Sequence, residues 1–327
     1  MSLPVLISPE RDVRDNDAIG HLPQALQDAL RVALDLADQS HANATRRGYA
    51  RDFADFTAWC SQVNLAPLPA APATVAAYIA ALVDRKLKSA TISRRVAAIA
   101  YHHRHEADDP TKPATVRAIL KGARNRLGTR PRKKAPLTAE LVAKAVKKIP
   151  SDTLIGKRDK ALLLLLFGAA LRRSELVALD VADLDFRPQG VVVTIRRSKT
   201  DQSGKGQTIA VPTGSKLRVP DALKDWMRAA GISDGPVFRG VAKGGRVLPE
   251  RLCDKQVART VKKWAKAIKL DPDLFSGHSG RSGFATSAGA KDLVGTANHL
   301  RHAKLDTTRG YIQAEDAFKA HAGRSFL

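Results

Sequence analysis

Eleven consecutive residues with no polar or charged side chain, Ala161 to Leu171, constrain this chain more than any other stretch. The run is too short to cross a bilayer, which takes about 20 apolar residues. Apolar groups on every face of a helix, instead of along one stripe, predict a helix enclosed on all sides by other elements. Enclosing it requires a sizeable domain, and 327 residues suffice for about two domains of roughly 150 each. With 44% hydrophobic and 27% charged residues, 22 Gly and 17 Pro, the composition excludes collagen-like, low-complexity and wholly disordered chains. Two cysteines, Cys60 and Cys253, are too few for a disulfide framework or a cysteine-based zinc site and suit a reducing compartment. The N-terminus has early acids and no apolar core, unlike a signal peptide. A cytoplasmic location without a membrane partner is therefore expected.

The formal net charge is +23, unevenly placed: residues 1–40 are net −4, 41–130 net +9 and 131–327 net +18. A surplus spread over nearly 290 residues and interleaved with apolar helical patterns points to a polyanion, nucleic acid first among the candidates.

Periodicity divides the chain. Residues 1–20 lack it and are expected to form a flexible arm. Residues 21–128 carry the helical period alone. It runs through Pro23–Asp38, with Leu26, Ala29, Leu30 and Ala33 on one face, then from Asn43 or Thr45 through Tyr49, Phe53, Phe56 and Trp59. It returns in Thr74–Asp84, Thr91–His103 and Val116–Leu127. An all-helical bundle follows from this. Residues 129–135, within Gly-Thr-Arg-Pro-Arg-Lys-Lys-Ala, read as a basic linker. In 136–327, Thr138–Lys148 and Lys157–Leu179 are predicted helical. The period then shifts to that of strands at Val191–Arg196 and Thr208–Val211, around a Gly/Ser/Asp turn. Helices resume at Leu252–Lys266, Ser282–Ala288, Gly295–Leu300 and Ala314–His321. The expected fold class is mainly α: a helical bundle, then an α-rich domain with a small antiparallel β-sheet.

Four separated polar motifs stand on this scaffold: Ala170-Leu-Arg-Arg-Ser-Glu-Leu176, Arg197-Ser-Lys-Thr200, Ser276-Gly-His-Ser-Gly-Arg281 and Leu300-Arg-His-Ala-Lys-Leu-Asp-Thr-Thr-Arg-Gly-Tyr311. Each is weak alone. In this order, with nine residues from His302 to Tyr311, they resemble the tyrosine recombinases of the phage integrase family. Thr45-Arg-Arg-Gly-Tyr49, Phe56-Thr-Ala-Trp-Cys60 and Thr91-Ile-Ser-Arg-Arg95 are similar to the SAM-like core-binding bundle of Cre-like members, so the resemblance spans about residues 20–320. It implies a site-specific recombinase acting on double-stranded DNA as a homotetramer on two sites, through a 3′-phosphotyrosyl intermediate and a Holliday junction, with no cofactor. A type IB topoisomerase-like enzyme would share the chemistry without synapsis, and a non-catalytic DNA-binding relative would require a broken catalytic set.

The residues themselves support that chemistry. Breaking a phosphodiester without a metal takes a nucleophile, neutralisation of the non-bridging oxygens, and an acid for the leaving 5′ oxygen. Tyr311 offers a phenol, whose ordinary pKa of about 10 calls for a base or cations nearby. Arg172 and Arg281 offer planar forks that stay charged at any working pH. By resemblance, His278 takes the proton of Tyr311, Lys199 protonates the leaving oxygen and His302 donates to the phosphate. Lys205 shares the Lys199 hairpin, and the Ser-Lys-Thr match favours Lys199. Glu175, three residues after Arg172, is expected on the same helix face, orienting its neighbours. For DNA contact the resemblance marks Arg46, Arg47, Thr91 and Arg94, while Arg130, Arg132, Lys133 and Lys134 in the linker suit phosphates better than bases.

Other readings fare worse. His299 and His302 could share a helix face around a metal, but the nearest acid, Asp306, falls beyond the helix end, so no metal site is expected. His102, His103 and His105 read as a solvated helix end. Gly214-Ser-Lys216 and Gly244-Gly245 lack P-loop spacing. Two departures from the family pattern stand out: Leu300-Arg-His302 replaces the usual Leu-Gly-His, and His278 precedes His302 by 24 residues, about two fewer than in many members. The 16 residues after Tyr311 hold Phe318 and Phe326 as anchors for a tail that packs in cis or in trans.

Overall fold

The computed structural model describes residues 23–39, 43–104, 106, 108–129, 133–198, 201, 204–289 and 291–311. The expected arm, Arg130, Arg132, Lys199, Ala314–His321, Phe318 and Phe326 lie outside them. The chain forms two compact units, Met1–Pro131 and Arg132–Leu327. Among the described residues no helix is long and apolar enough to cross a membrane.

The first unit is helical: α1 (Gln24–Gln39), α2 (Asn43–Gln62), α3 (Pro72–Asp84), α4 (Ser89–His102) and α5 (Ala114–Leu127). Its core joins Phe56 and Cys60 of α2 to Val75, Tyr78, Ile79 and Leu82 of α3 and Ile92, Val96 and Ile99 of α4. Helix α1 forms where its periodicity predicts, yet its apolar face is not part of this core: Leu26 is 44% and Val32 60% exposed. Two predicted helix starts shift upstream. Pro72 supplies the first residue of α3, where its missing N–H costs nothing, so Thr74 is not the cap; α4 is capped at Lys88, not Thr91. His103 corrects the expectation of a solvated helix end. It is buried, with Nε2 accepting the Ala70 N–H and Nδ1 donating to Ile99 O, both at 2.8 Å.

The second unit wraps α6 (Ala139–Lys148), α8 (Arg173–Ala178), α9 (Val219–Ala229), α10 (Asp254–Ala267) and α11 (Ser279–Gly289) around α7 (Leu154–Gly168). Ala161 to Leu166 of α7 are buried without a gap, as an all-round apolar helix demands. The strands β1 (Leu184–Arg187), β2 (Gly190–Ile195) and β3 (Gln207–Pro212) form an antiparallel sheet in that order, Val193 opposite Ile209. A second hairpin joins β4 (Arg239–Val241) to β5 (Val247–Arg251). The unit ends, within the described residues, in α12 (Leu293–Leu300) and α13 (Leu305–Arg309).

The predicted single helix Lys157–Leu179 is two helices. Gly168 sits where a Cβ would meet Val219 Cγ2 at 3.0 Å, and two residues on Ala170 turns left-handed at φ 47°. The chain therefore leaves the helix axis before Arg172, and α8 sets off afresh. Arg172 is its N-cap, so Arg172 and Glu175 meet across a helix start and not along a helix face.

Candidate active site

Two helix ends of one kind deliver the site. After α7, Leu171 N–H closes onto Leu166 O at 3.2 Å around left-handed Ala170. After α12, His302 N–H closes onto Ala297 O at 3.0 Å around left-handed Arg301, at φ 58°, ψ 44°. Such closures favour glycine, since the left-handed region costs an L-residue roughly 1–2 kcal/mol. Arg281 on α11, wholly buried, caps both ends at once: NH1 donates to Ala170 O at 2.7 Å and NH2 to Leu300 O. Burial, then the charges of Arg172 and Arg301, pull its pKa down to about 10, which leaves it cationic at neutral pH.

Glu175 binds two cations. Its Oε2 accepts the Arg172 backbone N–H and Arg301 NH2, each at 2.9 Å, and Oε1 accepts Arg172 NH1 at 2.6 Å. Burial opposes ionisation of this carboxyl, but Arg301 and the bonds from Arg172 outweigh it and hold its pKa below the ordinary value.

Tyr311 lies immediately beyond α13. Its hydroxyl is 2.9 Å from His278 Nε2, and its ring centroid is 5.3 Å from that of His278 and 5.2 Å from that of His302. Loss of hydration, then Arg281 and Arg172, hold His278 below the usual histidine range, so at neutral pH the imidazole is uncharged, and with its proton on Nδ1 its Nε2 accepts from the phenol. His302 is lowered further, to about 4, by burial and then by Arg281, Arg172, Arg301 and His278. Its Nδ1 lies 2.9 Å from the hydroxyl of buried Thr308. With Thr308 donating there, neutral His302 carries its proton on Nε2 as a donor.

The segment entering the unit is laced to the flanks of these residues. Lys133 Nζ donates to Gly310 O at 2.6 Å and Lys134 Nζ to Asp273 O at 2.5 Å. Ala135 N–H donates to Leu274 O at 2.7 Å and Leu137 N–H to Ser279 O at 2.8 Å. Gly283 permits this approach, since a Cβ there would fall 1.9 Å from Leu137 O. Thr286 Oγ1 donates to Ser282 O at 2.9 Å and lies 3.3 Å from Tyr311 O.

Arg172, Glu175, His278, Arg281, His302 and Tyr311 are thus together, while Lys199 lies outside the described residues and Lys205 is exposed. Lys133 and Lys134, expected on phosphates, bond protein carbonyls here. In the first unit Arg46 and Arg47 stand in the first turns of α2, and Thr91 in that of α4. Arg94 grips buried Asp52 through Nε at 2.6 Å and NH2 at 3.0 Å, so its fork joins α4 to α2. His299 Nε2 donates to Gly168 O at 2.9 Å and its ring stacks on Phe284. Sequence reasoning missed Arg301, Thr308 and Thr286. Arg301 was visible as a departure from Leu-Gly-His, and Thr308 as the second threonine before Tyr311.

Residues 136–317 match the model of the phage integrase family, and residues 34–106 that of the phage integrase N-terminal SAM-like domain. The chain belongs to the phage integrase family. An integrase/recombinase XerD homolog of Selenomonas ruminantium is 38% identical over 296 residues, spanning 87% of this chain and 86% of the relative. A tyrosine recombinase of Synechococcus elongatus is 32% identical over 306 residues, 87% and 89% of the two chains. The fold is also that of a lambda integrase dimer bound to a COC′ core site, with a TM-score of 0.58 at 17% identity over 87% of this chain and 94% of the other. This member of the phage integrase family is a tyrosine recombinase, an enzyme of site-specific DNA recombination.

Proposed function

We propose that the enzyme cleaves double-stranded DNA at its site by attack of Tyr311 on the scissile phosphorus. The 2.9 Å approach of the Tyr311 hydroxyl to His278 Nε2, among Arg172, Arg281 and His302, carries this reading. His278 takes the phenol proton, a phosphorus–oxygen bond forms to Tyr311, and the bond to the 5′ oxygen breaks. Lys199 returns a proton to that oxygen. Arg172 and Arg281 neutralise the charge that grows on the phosphoryl oxygens, and His302 Nε2–H donates to one of them. The 3′-phosphotyrosyl bond keeps the energy of the bond it replaces, so a 5′ hydroxyl from a second site rejoins without ATP. Strand exchange then proceeds in a tetramer on two duplexes, through a Holliday junction. The first unit, through Arg46, Arg47 and Thr91, and the basic linker, through Arg130 and Arg132, position the duplex by its phosphates.

The recognition duplex is selected from a random pool by binding to the Tyr311→Phe protein, then nicked beside the scissile phosphate so that the cleaved strand is lost. The wild-type protein is expected to accumulate a covalent adduct on it and the Tyr311→Phe protein none. An equal adduct yield from both would overturn the reading.

A further inference from the structure

Arg301 occupies a position where its backbone, its burial and its bonding all run against an arginine. The backbone is left-handed, a region suited to glycine. The side chain is only 6% exposed, and its one hydrogen bond among the described residues runs from NH2 to Glu175 Oε2. Its Nε and NH1 are buried and have no partner among the described residues. A chain that keeps an uncomfortable backbone and an under-satisfied buried cation at one residue places a functional demand there.

The demand is read from what Glu175 joins. Arg301 ends α12 and is followed at once by His302; Arg172 starts α8, and both donate to the one carboxylate. We propose that Arg301 is a positioning residue for strand cleavage: through Glu175 it fastens the end of α12, which carries His302, to the start of α8, which carries Arg172. This rests on the assignment of the Tyr311 centre as the cleavage site. Without Arg301 both oxygens of Glu175 fall to Arg172, whose fork is drawn off the line of the phosphate, and His302 loses its tie to that fork. Misplacement by about 1 Å lowers a rate roughly 100-fold, which sets the scale of the effect.

Arg301→Gly tests this without endangering the fold, since glycine relieves the left-handed turn. On the selected duplex it is expected to bind as the wild type does, melt no lower, and cleave roughly 10- to 100-fold more slowly in a single turnover. The His302 imidazole faces Arg281, Arg172, Arg301 and His278 and stacks on Tyr311, so removal of one cation raises its titration midpoint, read by NMR in the full-length protein. A double-mutant cycle separates action through Glu175 from any other: Glu175→Gln with Arg301→Gly together slow cleavage no more than the worse single change. Wild-type cleavage by Arg301→Gly, or losses that multiply in the double variant, would overturn the inference. Adduct formation by Tyr311→Phe would instead overturn the site assignment on which it stands.

Discussion

His278 and Tyr311 come from segments 33 residues apart, yet Nε2 and the phenol oxygen meet at 2.9 Å. A neutral imidazole beside a phenol in a field of guanidiniums is a base in place, and replacing it separates positioning from proton transfer. His278→Gln is expected to keep DNA affinity and lower the single-turnover cleavage rate by roughly 100- to 10,000-fold. Cleavage at the wild-type rate would show that another group takes the proton.

Arg281 and Arg172 differ in what they hold. Arg281 caps the carbonyls of Ala170 and Leu300, whereas Arg172 bonds a side chain at the rim of the site. Arg281→Ala should cost roughly 2–5 kcal/mol of stability, because it leaves two carbonyls without donors. Arg172→Ala should cost less, roughly 1–3 kcal/mol, because it strands Glu175 Oε1 while Oε2 keeps Arg301 and the backbone N–H, and both variants abolish cleavage. Urea unfolding of the two variants decides it; equal midpoints count against the capping role.

Acid should loosen the catalytic unit before it denatures the chain. His302 binds a proton near pH 4 in the fold and near 6.5 when unfolded. Between those values the unfolded state holds more protons, so stability present at pH 6.5 and above is lost as pH falls toward 4. His278 and His299, also lowered, act in the same direction. Thermal melting from pH 7 to 4 is expected to show this slope, and His302→Gln to flatten it; an unchanged slope in that variant would assign the effect elsewhere.

The cations of the first unit divide by the same reasoning. Arg47 is exposed, whereas Arg94 holds buried Asp52. Arg47→Ala should leave melting unchanged and reduce the slope of log affinity against log salt by about 1. Arg94→Ala should lower stability by roughly 1–3 kcal/mol through the stranded Asp52. A salt slope untouched by Arg47→Ala would remove it from the phosphate-contacting set.

Much of this was legible in the chain. The period of Phe56 and Trp59, the unbroken Ala161–Leu166 and the strand-like Val191–Arg196 report burial, and burial is what periodicity encodes. The break at Ala170 was not legible, because the residue that turns left-handed is an alanine, while the glycine nearby, Gly168, lies inside the helix against Val219 instead of at the turn. Helix α9 was missed although Val219, Ala222, Leu223 and Trp226 carry its stripe behind Pro220. The motif residues of the site followed from resemblance; the sharing of Glu175 between Arg172 and Arg301 did not, since it joins residues 126 apart by a turn no local pattern announces.

The segment from Lys133 to Leu137 has no secondary structure of its own, yet four bonds from it reach both sides of His278 and the carbonyl just before Tyr311. Chain economy at the catalytic unit is therefore deceptive. A fragment trimmed to the first helix at Ala139 keeps every motif residue, but it leaves the nucleophile's peptide and the histidine's flanks unlaced. A catalytic fragment is therefore expected to need the chain from Lys133 onward.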